Sequence, residues 1–361
     1  MINNDSLKEQ AKKLPQVPGV YLMKDSLGNI IYIGKSKSLR NRVIQYFYNL
    51  SNRTSKIEKL VLNIHNFDHI ITDTELDALL LECNLIKKIK PSYNSLMKNN
   101  SRYCYIKINL NDEYGVPEVV LEKEEEDSYY FGPYSSPNLV KETLGNIFEV
   151  MPFIRCSKSP LIRKRCHGVS FYPCRIVCEG SLKKEEYKDK LIKLKELLNK
   201  ENDEFIKNLE KDMEAEALTL NFERAKIIRD SIKNLEALMS LQGIINLAEG
   251  MKNIVVISKI DERFLKLFCI KGNKILYMEK IESGEFYKNI MGASIKIKSV
   301  FSISNVEEVN LTKEDIDEAN IIYSYIKNKD NDLFFIMLDD KIIKNTKAIK
   351  EEINKSIKLR K

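Results

Sequence analysis

Two β-rich runs, Val20-Tyr21-Leu22-Met23 and Ile30-Ile31-Tyr32-Ile33-Gly34, flank the turn residues Asp25-Ser26-Leu27-Gly28-Asn29, and a helix start follows at Ser38. A hairpin that feeds directly into a helix is the tightest constraint on this chain. It fixes strand register, the faces of alternate residues, and where the first helix must pack. Ser38 is expected to cap a helix that turns Leu39, Val43 and Phe47 inward at helical spacing. Ser55 and Glu58 read as a capping box for a second helix, His69-Ile70-Ile71-Thr72 as a third strand. Asp73 or Thr74 then caps a long helix from 75 to about 90, stopped by Pro91. Further strands are expected at 103–108 and 118–121, and a helix over 137–150.

The rest of the chain changes texture twice. From 182 to 241 it is rich in Lys, Glu and Leu, broken at Thr219-Leu220-Asn221, which reads as the turn of a helical hairpin. After Gly243, strands at 253–258, 264–270, 274–281 and 333–338 and helices near 285–297 and 313–327 make a second α/β region. The 361 residues therefore divide into an α/β domain over 1–98, a β-rich and basic segment over 99–180, a helical region over 181–245, and an α/β region over 246–361.

No apolar run approaches the roughly 18–20 residues of a membrane span. The first thirteen residues lack the apolar core of a secretory signal, and seven cysteines is an odd number for a disulfide framework. A cytoplasmic protein with no membrane contact is expected. The net charge of +7 is concentrated: residues 1–60 hold eleven Lys/Arg against four Asp/Glu, and 155–178 hold six Lys/Arg and no acid. Two basic blocks on a slightly acidic remainder fit a polyanion met at two places.

Tyr21 and Tyr32 stand on opposite arms of the expected hairpin, Gly34 allows close backbone approach, and Lys35 follows at once. Arg42 lies on the next helix and Glu82 on the long one, with Glu75 seven residues earlier on the same face. Such a set can hydrolyse a phosphodiester, which needs a base for water, cations for the phosphate and a metal for the leaving oxygen. A phenol, with a free pKa of about 10, acts as that base only beside positive charge.

Cys156, Cys166, Cys174 and Cys178 cluster in the second basic block. Four thiolates suit zinc, an iron–sulfur cluster, or plain packing, and the spacing leaves all three open. In the helical region Leu218, Phe222, Ala225 and Ile228 form a stripe expected to bury between two antiparallel helices, and a lone hairpin of this kind needs a partner.

Together, Pro18-Gly19-Val20-Tyr21, the stretch Tyr32-Ile33-Gly34-Lys35 through Arg42, Leu81-Glu82-Cys83-Asn84 and Lys90-Pro91-Ser92-Tyr93-Asn94 resemble the GIY-YIG nuclease domain of the UvrC family, which incises DNA in bacterial nucleotide excision repair. Tyr130-Phe131-Gly132-Pro133-Tyr134 matches a further block. The resemblance implies Tyr32 as general base, Tyr21 holding water or phosphate, Lys35 and Arg42 stabilising charge, Glu82 as ligand of one Mg²⁺ or Mn²⁺, and Asn94 ordering the site. It implies 3′-side incision of damaged double-stranded DNA. For the four cysteines it implies a [4Fe–4S] cluster over zinc, although Arg165 and Val177 stand where the family often has proline.

Leu220-Asn221-Phe222-Glu223-Arg224-Ala225 and Ile228-Arg229-Asp230 resemble the UVR motif, at about 209–240, and imply docking on UvrB, and through it on UvrA, by Phe222, Ala225 and Arg229. Residues 252–361 resemble the stretch after that motif, an incomplete RNase H-like α/β region. No Phe-Asp-x-Ser-His block or helix-hairpin-helix pattern is found, and Asp339-Asp340 reads as a strand-end turn, so the 5′ incision is not implied. A non-catalytic adaptor of UvrB and DNA, or a structure-specific GIY-YIG nuclease with other targeting, are the alternatives to an incising endonuclease.

Overall fold

The computed structural model describes residues 4–48, 55–95, 103–112, 114–124, 126–151, 153, 182–199, 204–303, 312–328 and 332–358. They fall into two compact units, one made of 1–100 with 247–361 and the other of 101–246. No helix among the described residues is long and apolar enough to cross a membrane.

In the first unit the chain runs α1 (Asn4–Lys12), β1 (Gly19–Lys24), β2 (Ile30–Ser36), α2 (Leu39–Tyr48), α3 (Ser55–Asn63), β3 (Asn66–Ile71) and α4 (Glu75–Ile89). The strands form an antiparallel sheet in the order β2-β1-β3. The β1–β2 turn is built on Asp25, whose carboxylate accepts the N–H groups of Leu27 and Asn29, with Gly28 at φ 83°. Alternation along the hairpin, shifted by a bulge at Ile31 opposite Met23 and Lys24, makes two layers. Tyr21, Met23 and Ile31 pack against Leu39, Val43 and Phe47, while Val20 and Ile33 pack against Ala78 and Ile86 of α4. The sheet is thus covered on both faces.

Thr74 closes a capping box with Asp77 at the start of α4, and Lys90 ends the helix in the left-handed region at φ 52° before Pro91. Ser38 does not cap α2 as expected. The first N–H groups of the helix, those of Leu39 and Arg40, donate instead to the Val17 and Pro15 carbonyls; the Ser36 hydroxyl accepts the Ser38 N–H and donates to the Ser38 carbonyl, while the Ser38 hydroxyl is buried without a hydrogen-bond partner.

In the second unit β4 (Cys104–Ile108), β5 (Glu118–Val120) and β6 (Tyr129–Tyr134) form a sheet in the order β5-β4-β6. Helices α5 (Pro137–Val150), α6 (Lys184–Asn199), α7 (Glu204–Leu218) and α8 (Phe222–Glu249) follow. The turn between α7 and α8 falls where expected, with Leu220 at φ 61°. Its stripe divides, however. Ala225 and Ile228 are buried, but Leu218 is 84% and Phe222 62% exposed, because they lie at the tip of the hairpin. α8 also runs through Gly243, where burial of Ile244, Ile245 and Ala248 outweighs the roughly 1 kcal/mol helix cost of glycine.

Residues 253–358 carry β7 (Asn253–Lys259), β8 (Phe264–Lys271), β9 (Lys274–Glu282), α9 (Ser283–Lys288), α10 (Ile290–Ile303), α11 (Lys313–Lys327), β10 (Leu333–Leu338), α12 (Asp340–Ile343) and α13 (Thr346–Lys358). The sheet is antiparallel throughout, in the order β10-β7-β8-β9. Val255, Leu267, Cys269 and Ile336 build one core with Ile297 of α10 and Ile353 of α13. The helix expected near 285–297 is two, α9 and α10, broken at Asn289, whose side chain accepts the Gly292 N–H. Asp339 caps α12 by accepting the Ile342 N–H, so the acidic pair is a strand-end turn.

Candidate active site

β2 is an edge strand, and an edge strand presents backbone groups with no ladder partner. Here they are taken by side chains from two other segments. Asn94 accepts the Ile33 N–H and donates to the Ile33 carbonyl, both at 2.9 Å, so that its amide stands in for a neighbouring strand. The next outward N–H, that of Lys35, donates to Glu82 Oε1 at 3.0 Å. The free edge of β2 is therefore where the hairpin, α4 and the segment after Pro91 converge.

Tyr21 and Tyr32 lie on the α2 side of that edge. Tyr21 sits across from Gly34 in the ladder, and a Cβ on Gly34 would collide with its hydroxyl, which is why glycine is required there. Tyr21 is 1% exposed, and its hydroxyl is 2.9 Å from that of Tyr46 on α2. The three rings of Tyr21, Tyr32 and Tyr46 form a triangle with centroids 5.8–6.3 Å apart. Arg42, one turn before Tyr46, is exposed and lies 5.6 Å from the Tyr46 ring centroid.

Burial pushes the Tyr21 phenol well up, reinforced by Tyr46 and Tyr32. Burial also raises Tyr32 above the ordinary phenol range, with Tyr46 and Glu82 adding to it and Arg42 opposing. Glu82 is half-buried, and its carboxyl is raised by that burial; the Lys35 N–H and the charges of Lys35 and Arg42 offset only part. Glu75 differs. Burial works against its charge, but hydrogen bonds from the Lys35 and Lys37 ammonium groups at 2.7 and 3.0 Å outweigh it and hold the carboxyl low.

Of the residues singled out in the sequence, Tyr21, Tyr32, Lys35, Glu82 and Asn94 meet at the β2 edge, with Arg42 beside them on α2. The Lys35 ammonium is engaged by Glu75, and Arg42, which donates to Gln45 Oε1 at 3.2 Å, is exposed. Tyr46 was missed, although its place four residues after Arg42 put it on the same helical face. Glu82 suits a hard cation: a partly buried carboxylate, raised because its charge is incompletely compensated, gains most from a metal ion nearby. Among the described residues no group of three or more Asp, Glu, His or Cys side chains forms a metal site, so Glu82 would act with water ligands. Cys156, Cys166, Cys174 and Cys178 lie outside the described residues, whereas Cys83, Cys104 and Cys269 are free and buried. In the helical hairpin Phe222 is exposed, Ala225 is buried, and Arg229 pairs with Asp230 at 2.8 Å.

Three successive segments of the chain match known protein families. Residues 17–95 match the UvrC-like GIY-YIG domain, 103–197 the UvrC/Cho excinuclease middle domain, and 203–238 the UvrB/uvrC motif. The UvrABC system protein C of Acetivibrio thermocellus is 38% identical over 335 residues, 90% of this chain and 53% of that protein. That of Thermoanaerobacter pseudethanolicus is 32% identical over 379 residues, 97% of this chain and 61% of that protein. The chain thus spans between half and three-fifths of the length of these relatives. A solved structure of the GIY-YIG N-terminal endonuclease domain of UvrC from Thermotoga maritima, bound to magnesium, its catalytic divalent cation, is 36% identical over 25% of this chain and 98% of its own, with a TM-score of 0.23.

Proposed function

The chain belongs to the UvrC family, and from that membership we propose that it is a metal-dependent DNA endonuclease of nucleotide excision repair, cutting damaged DNA on the 3′ side of the lesion. The observation that carries the reading is the convergence of Tyr32, Lys35, Glu82 and Asn94 along the free edge of β2. Tyr32 accepts the proton of the attacking water. Tyr21 and Tyr46 hold its ring in place, the exposed Arg42 meets the scissile phosphate, and Lys35 adds positive charge beside it. Asn94 keeps the β2 backbone in register for Glu82. Glu82 holds one Mg²⁺ or Mn²⁺, which when bound supplies positive charge for the phosphate and the leaving oxygen.

Recruitment follows from the α7–α8 hairpin. Leu218, Leu220 and Phe222 expose apolar side chains at its tip, which suits docking on the like hairpin of UvrB, with Ala225 close-packed behind and Arg229 at the rim. UvrA joins indirectly through UvrB, in the cytoplasm. The domain plan proposed is a nuclease over 1–98, a β-rich linker with a [4Fe–4S] cluster or zinc on Cys156, Cys166, Cys174 and Cys178 over 99–180, the UVR-bearing helices over 181–245, and an RNase H-like α/β region over 246–361.

The test is nicking of an end-labelled lesion duplex loaded with UvrB in Mg²⁺. Glu82→Gln and Tyr32→Phe are each expected to lose at least about 100-fold in rate, the usual worth of a general base or an aligned cation. EDTA should abolish nicking. Undiminished nicking by either variant would remove this site from the reaction.

A further inference from the structure

Lys266, in the middle of β8, is a buried ammonium: the residue is only 8% exposed. It stands directly across the ladder from Lys280 of β9, and like charges so placed repel. Both reach the same acid. Lys266 Nζ is 2.6 Å from Asp73 Oδ2 and 3.6 Å from Asp77 Oδ2, and Lys280 Nζ is 3.3 Å from Asp73 Oδ1. Asp73 and Asp77 flank Thr74, the cap of α4, and Asp77 is the acid of its capping box. Lys266 and the start of α4 belong to one compact unit despite their separation in sequence.

The face of α4 that these lysines hold is the one away from the nuclease sheet. Asp77, Leu80, Asn84 and Lys87 recur at helical spacing on it, whereas Ala78, Glu82 and Leu85 recur on the other. Toward its far end Lys87 pairs with Asp317 of α11 at 3.5 Å. Between the two ties, Leu80 and Asn84 border a cavity of about 720 Å³ with Leu276, Tyr277 and Ile322. The helix that presents Glu82 is therefore tied on this side by charges near its ends, beside buried Leu76 and Cys83 where it packs along α11.

We propose that Lys266, with Lys280 beside it, is a positioning residue for the Glu82 cation site, fixing the helix that carries Glu82 through Asp73 and Asp77. The inference rests on the reading of Glu82 as a metal ligand. The acidic first turn of α4 is what makes a like-charged cross-strand pair tolerable, and the pair in turn neutralises that turn without any contact to the reacting atoms.

The test measures Mn²⁺ binding by the intact chain in the absence of DNA, from the electron paramagnetic resonance signal of free Mn²⁺. Lys266→Met is expected to weaken binding about tenfold, the lower end of what loss of support behind a metal ligand costs. Lys266→Arg should restore most of it. Lys280→Met removes a half-exposed partner at little risk to folding and should weaken binding by a smaller factor. In nicking, the half-saturating Mn²⁺ should rise in parallel while the rate at saturating Mn²⁺ falls less. Binding that needs Glu82 but ignores both Lys266→Met and Lys280→Met would overturn this inference alone. Equal binding by wild type and Glu82→Gln would overturn the metal reading and this inference with it.

Discussion

The Tyr46 hydroxyl has two effects that pull apart on substitution. It partners the buried Tyr21 hydroxyl, which Arg42 also hydrogen-bonds, so Tyr46→Phe should cost about 0.5–1.5 kcal/mol in urea unfolding, the worth of one hydrogen bond. It also helps hold the Tyr32 phenol above its ordinary range, second to burial. As a base Tyr32 works deprotonated, so nicking rises with pH until the Tyr32 pKa in the loaded site is passed. Removing the Tyr46 hydroxyl lowers that pKa and should move the rising limb to lower pH. Arg42 acts the other way, and Arg42→Gln should move the limb to higher pH while slowing the plateau. Single-turnover pH–rate profiles in saturating Mg²⁺ check both; shifts of the same sign would show that the titrating group is not Tyr32.

At the scale of elements, β2 depends on a side chain far along the chain. Asn94→Ala removes both bonds to Ile33 and exposes an edge strand to slippage, whereas Asn94→Asp keeps the acceptor but sets a carboxylate oxygen against the Ile33 carbonyl. Asn94→Ala is expected to cost about 1–3 kcal/mol of stability and Asn94→Asp at least as much, measured by thermal unfolding; nicking should fall with both. What is legible in the sequence is local: the hairpin from its alternation and Asp25–Asn29 turn, the α4 cap as Asp73 or Thr74, α11 and β10 to the residue. The misses have a common cause. The Val17 and Pro15 carbonyls rather than the Ser38 side chain hold the start of α2, and α8 passes through Gly243, because distant backbone groups and tertiary burial decide those places. The exposure of Leu218 and Phe222 was equally hidden, since helical spacing gives a stripe but not where along it the covering partner ends.

For the whole molecule, the unit joining 1–100 to 247–361 has no signature in a linear reading, because its ties, Lys266 to Asp73 and Lys87 to Asp317, pair residues from opposite ends of the chain. The buried cysteines report on it. Burial pushes the Cys83 and Cys104 thiols up to about 11 and that of Cys269 up to about 12. At pH 8 all three remain protonated as well as inaccessible, and the thiolate is the nucleophile, so native protein should leave them unalkylated by iodoacetamide. Cys83 on α4 and Cys269 on β8 share a unit, whereas Cys104 on β4, far nearer Cys83 in sequence, lies in the other. Structure lost cooperatively exposes its residues together. Pulsed alkylation along a urea gradient, read by peptide mass spectrometry, should therefore show Cys83 and Cys269 becoming reactive at one urea concentration and Cys104 at its own. Cys83 tracking Cys104 instead would mean that the ion pairs across α4 do not bind the two ends of the chain into one folding unit.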